Sequence, residues 1–187
     1  MTCGMSFPRP LLTSITAVAL LTAITPAFAD CSDFAGPGVY WRRCVQDGQN
    51  LQGVDLTGAV LRDSSFKRAD LTGADLSGVD ARRTKFVSAN LKDATLDAAR
   101  LVQSDLTTAD LTGASLRDAD LTRAKLFRTD LREADLTGAR LDDVDLLKAQ
   151  LGGATWIDGK TICAEESVGQ CHAARRKPST GEVEASG

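Results

Sequence analysis

The sequence predicts a solenoid, a chain wound into a column that turns a corner at a fixed interval. Three observations point to it. A large apolar residue returns every five residues, from Leu51, Leu56, Leu61 and Phe66 through Leu141, Leu146, Leu151 and Trp156, with Ala81 the single departure. A small residue stands two positions before most of them, as in Ala69, Ala74, Ala109, Ala134 and Ala149. Between the two the chain often carries Asp or Asn, among them Asp55, Asp70, Asp75, Asn90, Asp110, Asp130 and Asp145.

A straight helix or strand cannot bury this pattern. Five residues of helix rotate an apolar stripe about 140° off its face. In a strand, an odd period puts successive leucines on opposite sides. The chain must therefore bend once per five residues toward the leucines, and each repeat must bury its apolar side by stacking on its neighbours. In an extended segment, residues two apart share a side, so the small residue also points inward. The Asp or Asn between them suits a bending chain, because its side chain hydrogen-bonds nearby backbone in turns.

Stretches such as Ala69-Asp70-Leu71-Thr72-Gly73, Ala109-Asp110-Leu111-Thr112-Gly113 and Ala134-Asp135-Leu136-Thr137-Gly138 resemble the A(D/N)LXX unit of pentapeptide repeat proteins. The resemblance covers residues 51–157 in twenty-two consecutive units. It implies an all-β fold, a right-handed quadrilateral β-helix with four units per coil. The units would then make about five and a half coils, and at about 4.8 Å per coil a rod roughly 25 Å long. Ser64, Thr84, Ser104 and Thr129 depart from the pattern in the small slot. Ala81 in the large slot is expected to leave a cavity or a local tightening.

Residues 1–29 hold one charge, Arg9, then an apolar run from Leu11 to Ile24 and the A-x-A pattern Ala27-Phe28-Ala29. They read as a secretory signal peptide, giving a periplasmic or secreted chain that starts near Asp30 and has no membrane span after cleavage. The competing reading is an uncleaved anchor, but 11–29 is barely long enough and carries four threonines. A lipid on Cys31 is opposed by Asp30, which stands where such signals need a small neutral residue. Cys3 leaves with the leader, and four cysteines flank the repeats: Cys31, Cys44, Cys163 and Cys171. An even count in an exported chain implies disulfides. Three connectivities are open, and the two local pairs are favoured because the clusters lie at opposite ends of the rod. A loop as short as the first would stabilise by roughly 3 kcal/mol in the chain-entropy model. Zinc would need closer spacings.

An open last coil shows unpaired backbone and bare core, so capping segments are expected. Residues 30–50, with Trp41, read as the N-terminal cap and 158–171 as the C-terminal cap. Residues 172–187 read as a disordered tail, from the run Arg175-Arg176-Lys177-Pro178 and the polar mix after it.

Stepping by twenty residues assigns each outward residue to a side. The side through Leu71 and Leu111 has five acids and two bases, and that through Leu76 and Leu116 five acids and one base. The side through Leu101 and Leu121 balances six arginines against five acids. The side through Phe66, Phe86, Leu106, Leu126 and Leu146 has six bases, Lys67, Arg68, Lys85, Lys125, Arg128 and Lys148, against two acids. On this basic side Val87, Phe127 and Leu147 are expected to line up facing outward, with Thr107 between them. Three readings are open: a cap segment folds over that stripe, the alignment is chance, or it is a docking surface for a partner or a second copy.

The chain offers no catalytic constellation. His172 is the single histidine, and there is no G-x-S-x-G, P-loop or H-E-x-x-H. The cluster Asp142, Asp143 and Asp145 could be imagined around calcium, but Asp145 occupies the usual turn slot and its neighbours are solvated. No enzyme activity, cofactor or metal is therefore expected. The reading is a rigid exported scaffold or binding rod for a protein or an anionic surface, with no nucleic acid and a homodimer as one option. The alternative comes from the resemblance: some pentapeptide repeat proteins resemble duplex DNA and bind DNA gyrase. That role needs a cytoplasmic address and a strongly acidic surface. Without Arg9 the chain has 21 bases against 25 acids, a net charge of −4, and its basic side argues further against DNA mimicry.

Overall fold

The computed structural model describes residues 31–174. The expected leader and residues 175–187 of the expected tail lie outside the described residues. From Tyr40 to Thr155, every fifth residue forms a parallel bridge to the residue twenty positions away, as in Tyr40↔Val60, Asp80↔Arg100 and Asp135↔Thr155. Four five-residue sides thus complete one turn of a parallel solenoid. The bridges are isolated and no longer strand forms among the described residues. One bridging residue per side is all that a chain bending every five residues leaves.

Each side uses its backbone groups in the same way. Taking the large residue as the first of five, the fourth N–H closes a turn onto the first carbonyl, as in Ala74 to Leu71 at 3.0 Å. The first, third and fifth N–H groups reach neighbouring turns: Leu101 donates to Asp120 at 2.8 Å, Gln103 to Thr122 at 3.0 Å and Asp105 to Thr84 at 2.9 Å. The second N–H has no backbone acceptor. The Asp or Asn before the large residue supplies one, as in Thr72 to Asp70 Oδ1 at 3.1 Å, Thr112 to Asp110 at 2.9 Å and Thr137 to Asp135 at 2.9 Å. The Asp/Asn preference therefore meets a specific shortfall in backbone pairing.

The third residue of each side has φ between 55° and 73°, and many of these residues are not glycine, including Arg83, Ala98, Thr108 and Lys148. Left-handed backbone at side-chain-bearing residues costs free energy. It is held here by the inter-turn hydrogen bonds and the core.

The core is a single column. Leu56 to Leu136 in the large slot and the alanines of the small slot are almost fully buried. Ala81 is buried too, and the next corner of its turn carries Phe86, whose ring stacks on Phe66 at 5.4 Å. Trp41 extends this aromatic run, 6.3 Å from Phe66.

The ends differ from the expected boundaries. The five-residue register begins before Leu51: Trp41, 3% exposed, fills a large slot, Cys44 a small one, and Tyr40, Val45 and Asn50 are bridge residues. Much of 30–50 is therefore solenoid rather than a separate cap. The segment before it is tied down by the Cys31–Cys44 disulfide and by Trp41 Nε1 donating to the Asp33 carbonyl at 3.2 Å. At the other end the chain reverses through Asp158 and Gly159 and runs back antiparallel, with bridges Thr155↔Ile162 and Gln150↔Val168. Asp158 accepts from the Thr161 hydroxyl and from the Thr161 and Lys160 N–H groups, which holds its carboxyl down at about 2. The Cys163–Cys171 disulfide closes this segment. Pairing continues beyond 171, with Cys163↔Ala173 and Ala174 donating to Ile162, so 172–174 belong to the closing segment and not to the tail.

Candidate interaction surface

The expected basic side exists as a surface. Backbone bonds from Arg68 to Val87 at 3.1 Å, Thr108 to Phe127 at 2.9 Å and Arg128 to Leu147 at 3.1 Å fix its vertical register. Val87, Thr107, Phe127 and Leu147 therefore fall in one column, a turn apart. Val87 and Phe127 are half-buried and Leu147 is 61% exposed. The closing segment pairs with Gln150 and Thr155 and does not cover Leu147. Two cations sit over the Phe127 ring, Arg128 at 5.1 Å and Lys148 at 5.9 Å from its centre.

Charge pairing separates this side from its neighbour. On the Leu101 side the six outward arginines from Arg62 to Arg140 each have an acid within 4.0 Å: Arg62, Arg82 and Arg100 surround Asp80, Arg83 holds Asp63, Arg123 meets Asp143, and Arg140 meets Asp120 and Asp142; in the first turn Arg42 reaches Asp63 at 4.0 Å and Arg43 makes no ion pair among the described residues. Asp80 is 9% exposed, the most buried charge described. Burial alone would raise its carboxyl, but hydrogen bonds and charge from Arg62 and Arg82 outweigh that and hold it below the ordinary range. On the basic side, Lys67, Arg68, Lys85, Lys125, Arg128 and Lys148 are all exposed, and none makes an ion pair among the described residues. The three acids there are engaged with backbone or hydroxyl groups, Asp105 accepting from the Thr107 N–H at 3.1 Å and Asp145 from the Leu147 N–H at 3.0 Å. Asp47, in the first turns, accepts from the Ser65 hydroxyl and the Lys67 N–H.

The sequence reading missed one feature. The closing segment supplies carbonyls to the last turn on two sides only, accepting from Leu151 at 2.9 Å, Gly153 at 3.0 Å and Trp156 at 2.8 Å. On the other two sides the N–H groups of Leu141, Asp143, Leu146 and Lys148 have no acceptor among the described residues. Leu141, Val144 and Leu146 stand in core slots but are only partly buried. This open edge adjoins Leu147 and Phe127. The leucine period alone could not mark it, because the slots read the same whether or not another layer lies above them.

Asp142 and Asp143 are paired with arginines and Asp145 lies in its turn, and no cluster of three or more potential metal ligands occurs among the described residues. No helix among them is long and apolar enough to cross a membrane.

A parallel solenoid with a five-residue side and a leucine-lined core is the class this geometry defines. The pentapeptide repeats family model matches at residues 50–86, 89–126 and 119–155, and the chain belongs to that family. Such proteins generally act as structural or binding proteins. A comparison with curated proteins gives no match. Among solved structures, the chain is similar to QnrB1, a plasmid-mediated fluoroquinolone resistance protein, at 18% identity over 63% of this chain and 69% of that one, TM-score 0.41. It is similar to a pentapeptide repeat protein from the Arabidopsis thaliana thylakoid lumen at 22% identity, over 70% and 86% of the two chains, TM-score 0.30. A pentapeptide repeat protein from Nostoc PCC 7120 shows 40% identity over 46% and 66%, TM-score 0.37.

Proposed function

We propose that this chain is an exported, non-enzymatic binding rod that engages an acidic partner, protein or anionic surface, through the side carrying Lys67, Lys85, Lys125 and Lys148. The observation that carries this is the contrast in pairing: six cations without an ion pair among the described residues on one side, beside a side where seven of eight arginines have an acid within 4.0 Å. Unpaired surface cations attract a counter-charged partner at long range, and salt weakens that attraction. Phe127 and Leu147 add apolar contact within the same patch. The two disulfides suit an oxidising compartment, which supports the leader reading.

Co-sedimentation with phosphatidylglycerol-containing vesicles, and pull-down from an extracytoplasmic protein fraction, each at low and high salt, test the reading and separate the two sources. Binding that falls with salt and with Lys85→Glu supports it. Salt-insensitive binding, or none in either arm, rejects it. Phe127→Ser is expected to fold normally and bind several-fold more weakly, because the ring lies on the surface and not in the core column. Finding the unprocessed precursor in the cytosol would overturn the export half.

A further inference from the structure

We infer that the open edge at residues 141–148 is a docking site for an extended acidic peptide segment of another protein, which would complete the last turn of the solenoid. The inference rests on the reading of the chain as a binding rod and names the partner's form.

The molecule supplies its own comparison. The sides of the last turn that begin at Leu151 and Trp156, its third and fourth, have N–H groups satisfied by a stretch of the same chain, 161–168, which turns once where Ser167 donates back to Ala164 at 2.9 Å. Beneath it Leu151 and Ala154 are fully buried. Sides one and two present the same donor pattern, at Leu141, Asp143, Leu146 and Lys148, over the same kind of slots, yet nothing described accepts from them and Leu141, Val144 and Leu146 stay partly exposed. The missing complement is thus a row of carbonyls from an extended chain with small or apolar side chains facing the core. This is strand addition at a sheet edge, where backbone bonds give affinity and flanking side chains give selectivity.

The flanks set the charge. Around Leu146 the outward residues are Asp145, whose carboxylate accepts from the Leu147 N–H, Leu147 and Lys148, and one turn below stand Lys125, Phe127 and Arg128; the three cations make no ion pair among the described residues and outnumber the one carboxylate. Over Leu141 the charges are already matched, Asp142 with Arg140 and Asp143 with Arg123. A segment spanning both sides would place acidic residues beside Lys148 and neutral ones toward Leu141. At about 3.3 Å per residue, two sides call for about eight to ten residues with one bend.

The test is amide exchange on the full chain, with and without a blocked peptide of about ten alternating glutamate and valine residues. Protection of the Leu141, Asp143, Leu146 and Lys148 amides is expected to rise by about tenfold or more, while Leu151, Gly153 and Trp156 stay as they were. Lys148→Glu, an exposed substitution, should reduce that protection several-fold, and a lysine–valine peptide should give none. Absence of protection overturns the proposal. So does protection already present in the free chain, whether it vanishes on deleting 175–187, making the chain's own tail the occupant, or grows with protein concentration, making it a second copy. A Lys67→Glu, Lys85→Glu double variant distinguishes the failures: it should lose vesicle or partner binding while leaving peptide protection at the edge unchanged.

Discussion

Single residues in the small slot show how tightly the column is specified. The hydroxyls that replace alanine there mostly find a carbonyl in the preceding turn: Thr84 donates to Leu61 at 2.6 Å, Thr129 to Leu106 at 2.8 Å, and Ser64 to Trp41. Ser104 occupies an equivalent slot, but its buried Oγ has no partner. An unsatisfied buried hydroxyl costs free energy that an alanine avoids. Ser104→Ala is therefore expected to raise stability by about 1 kcal/mol, read as a higher denaturant midpoint at unchanged slope; a lower midpoint would contradict this account. Asp110→Ala should be mild by comparison with any core change, since it removes one turn acceptor at a half-buried corner.

Two elements depend on specific close contacts. The first is the cluster around Asp80, which ties three turns together through Arg62, Arg82 and Arg100. Asp80→Asn should cost about 1–3 kcal/mol, because it leaves these guanidinium groups without a counter-charge. The pH dependence has a definite sign. The folded carboxyl is depressed, so its contribution is present above the unfolded value of about 4 and is lost as pH falls through the folded value. Asp63, Asp120, Asp130 and Asp135 are depressed as well and act in the same direction. A circular-dichroism acid titration should thus show stability falling below about pH 4, with Asp80→Asn flattening the slope. The second element is the closing segment. A Cβ at Gly152 would stand 2.7 Å from the Glu165 carbonyl oxygen, so this contact admits only glycine. Gly152→Ala is expected to lift the segment from the last turn at a cost of about 1–3 kcal/mol, seen as faster amide exchange at Leu151 and Gly153; unchanged exchange would mean the segment is held elsewhere.

On the scale of the whole molecule, one apolar column serves every turn, so damage in the middle cannot be confined. Leu101 is fully buried. Leu101→Asp places a carboxylate where no partner can reach it, and the chain should fail to fold, with loss of the β signal in circular dichroism and aggregation on expression. A folded, soluble variant would be incompatible with a single packed column.

How much was legible differs by residue. The slots of Leu56 to Leu136 and the turn role of Asp70, Asp110 and Asp135 followed from spacing alone, because a five-residue corner is a local constraint that each unit states again. In sequence Trp41 and Cys44 read as part of a separate cap, since Gly36 and Gln46 interrupt the leucine series there. The glycines Gly38 and Gly48, in the same phase as Gly53 and Gly58 and all with positive φ, were the signal that the register continued. What the sequence by itself determined was the corner, the core lining and the side on which each residue lies. Which cations find partners was decided only by the tertiary structure. Asp80 reaches Arg62, eighteen residues back, and Arg82, two residues on, while Lys85 and Lys125 share their side with acids already taken up in turns. The open edge at 141–148 was decided there too, because it depends on where the closing segment stops accepting hydrogen bonds and not on any residue within the edge.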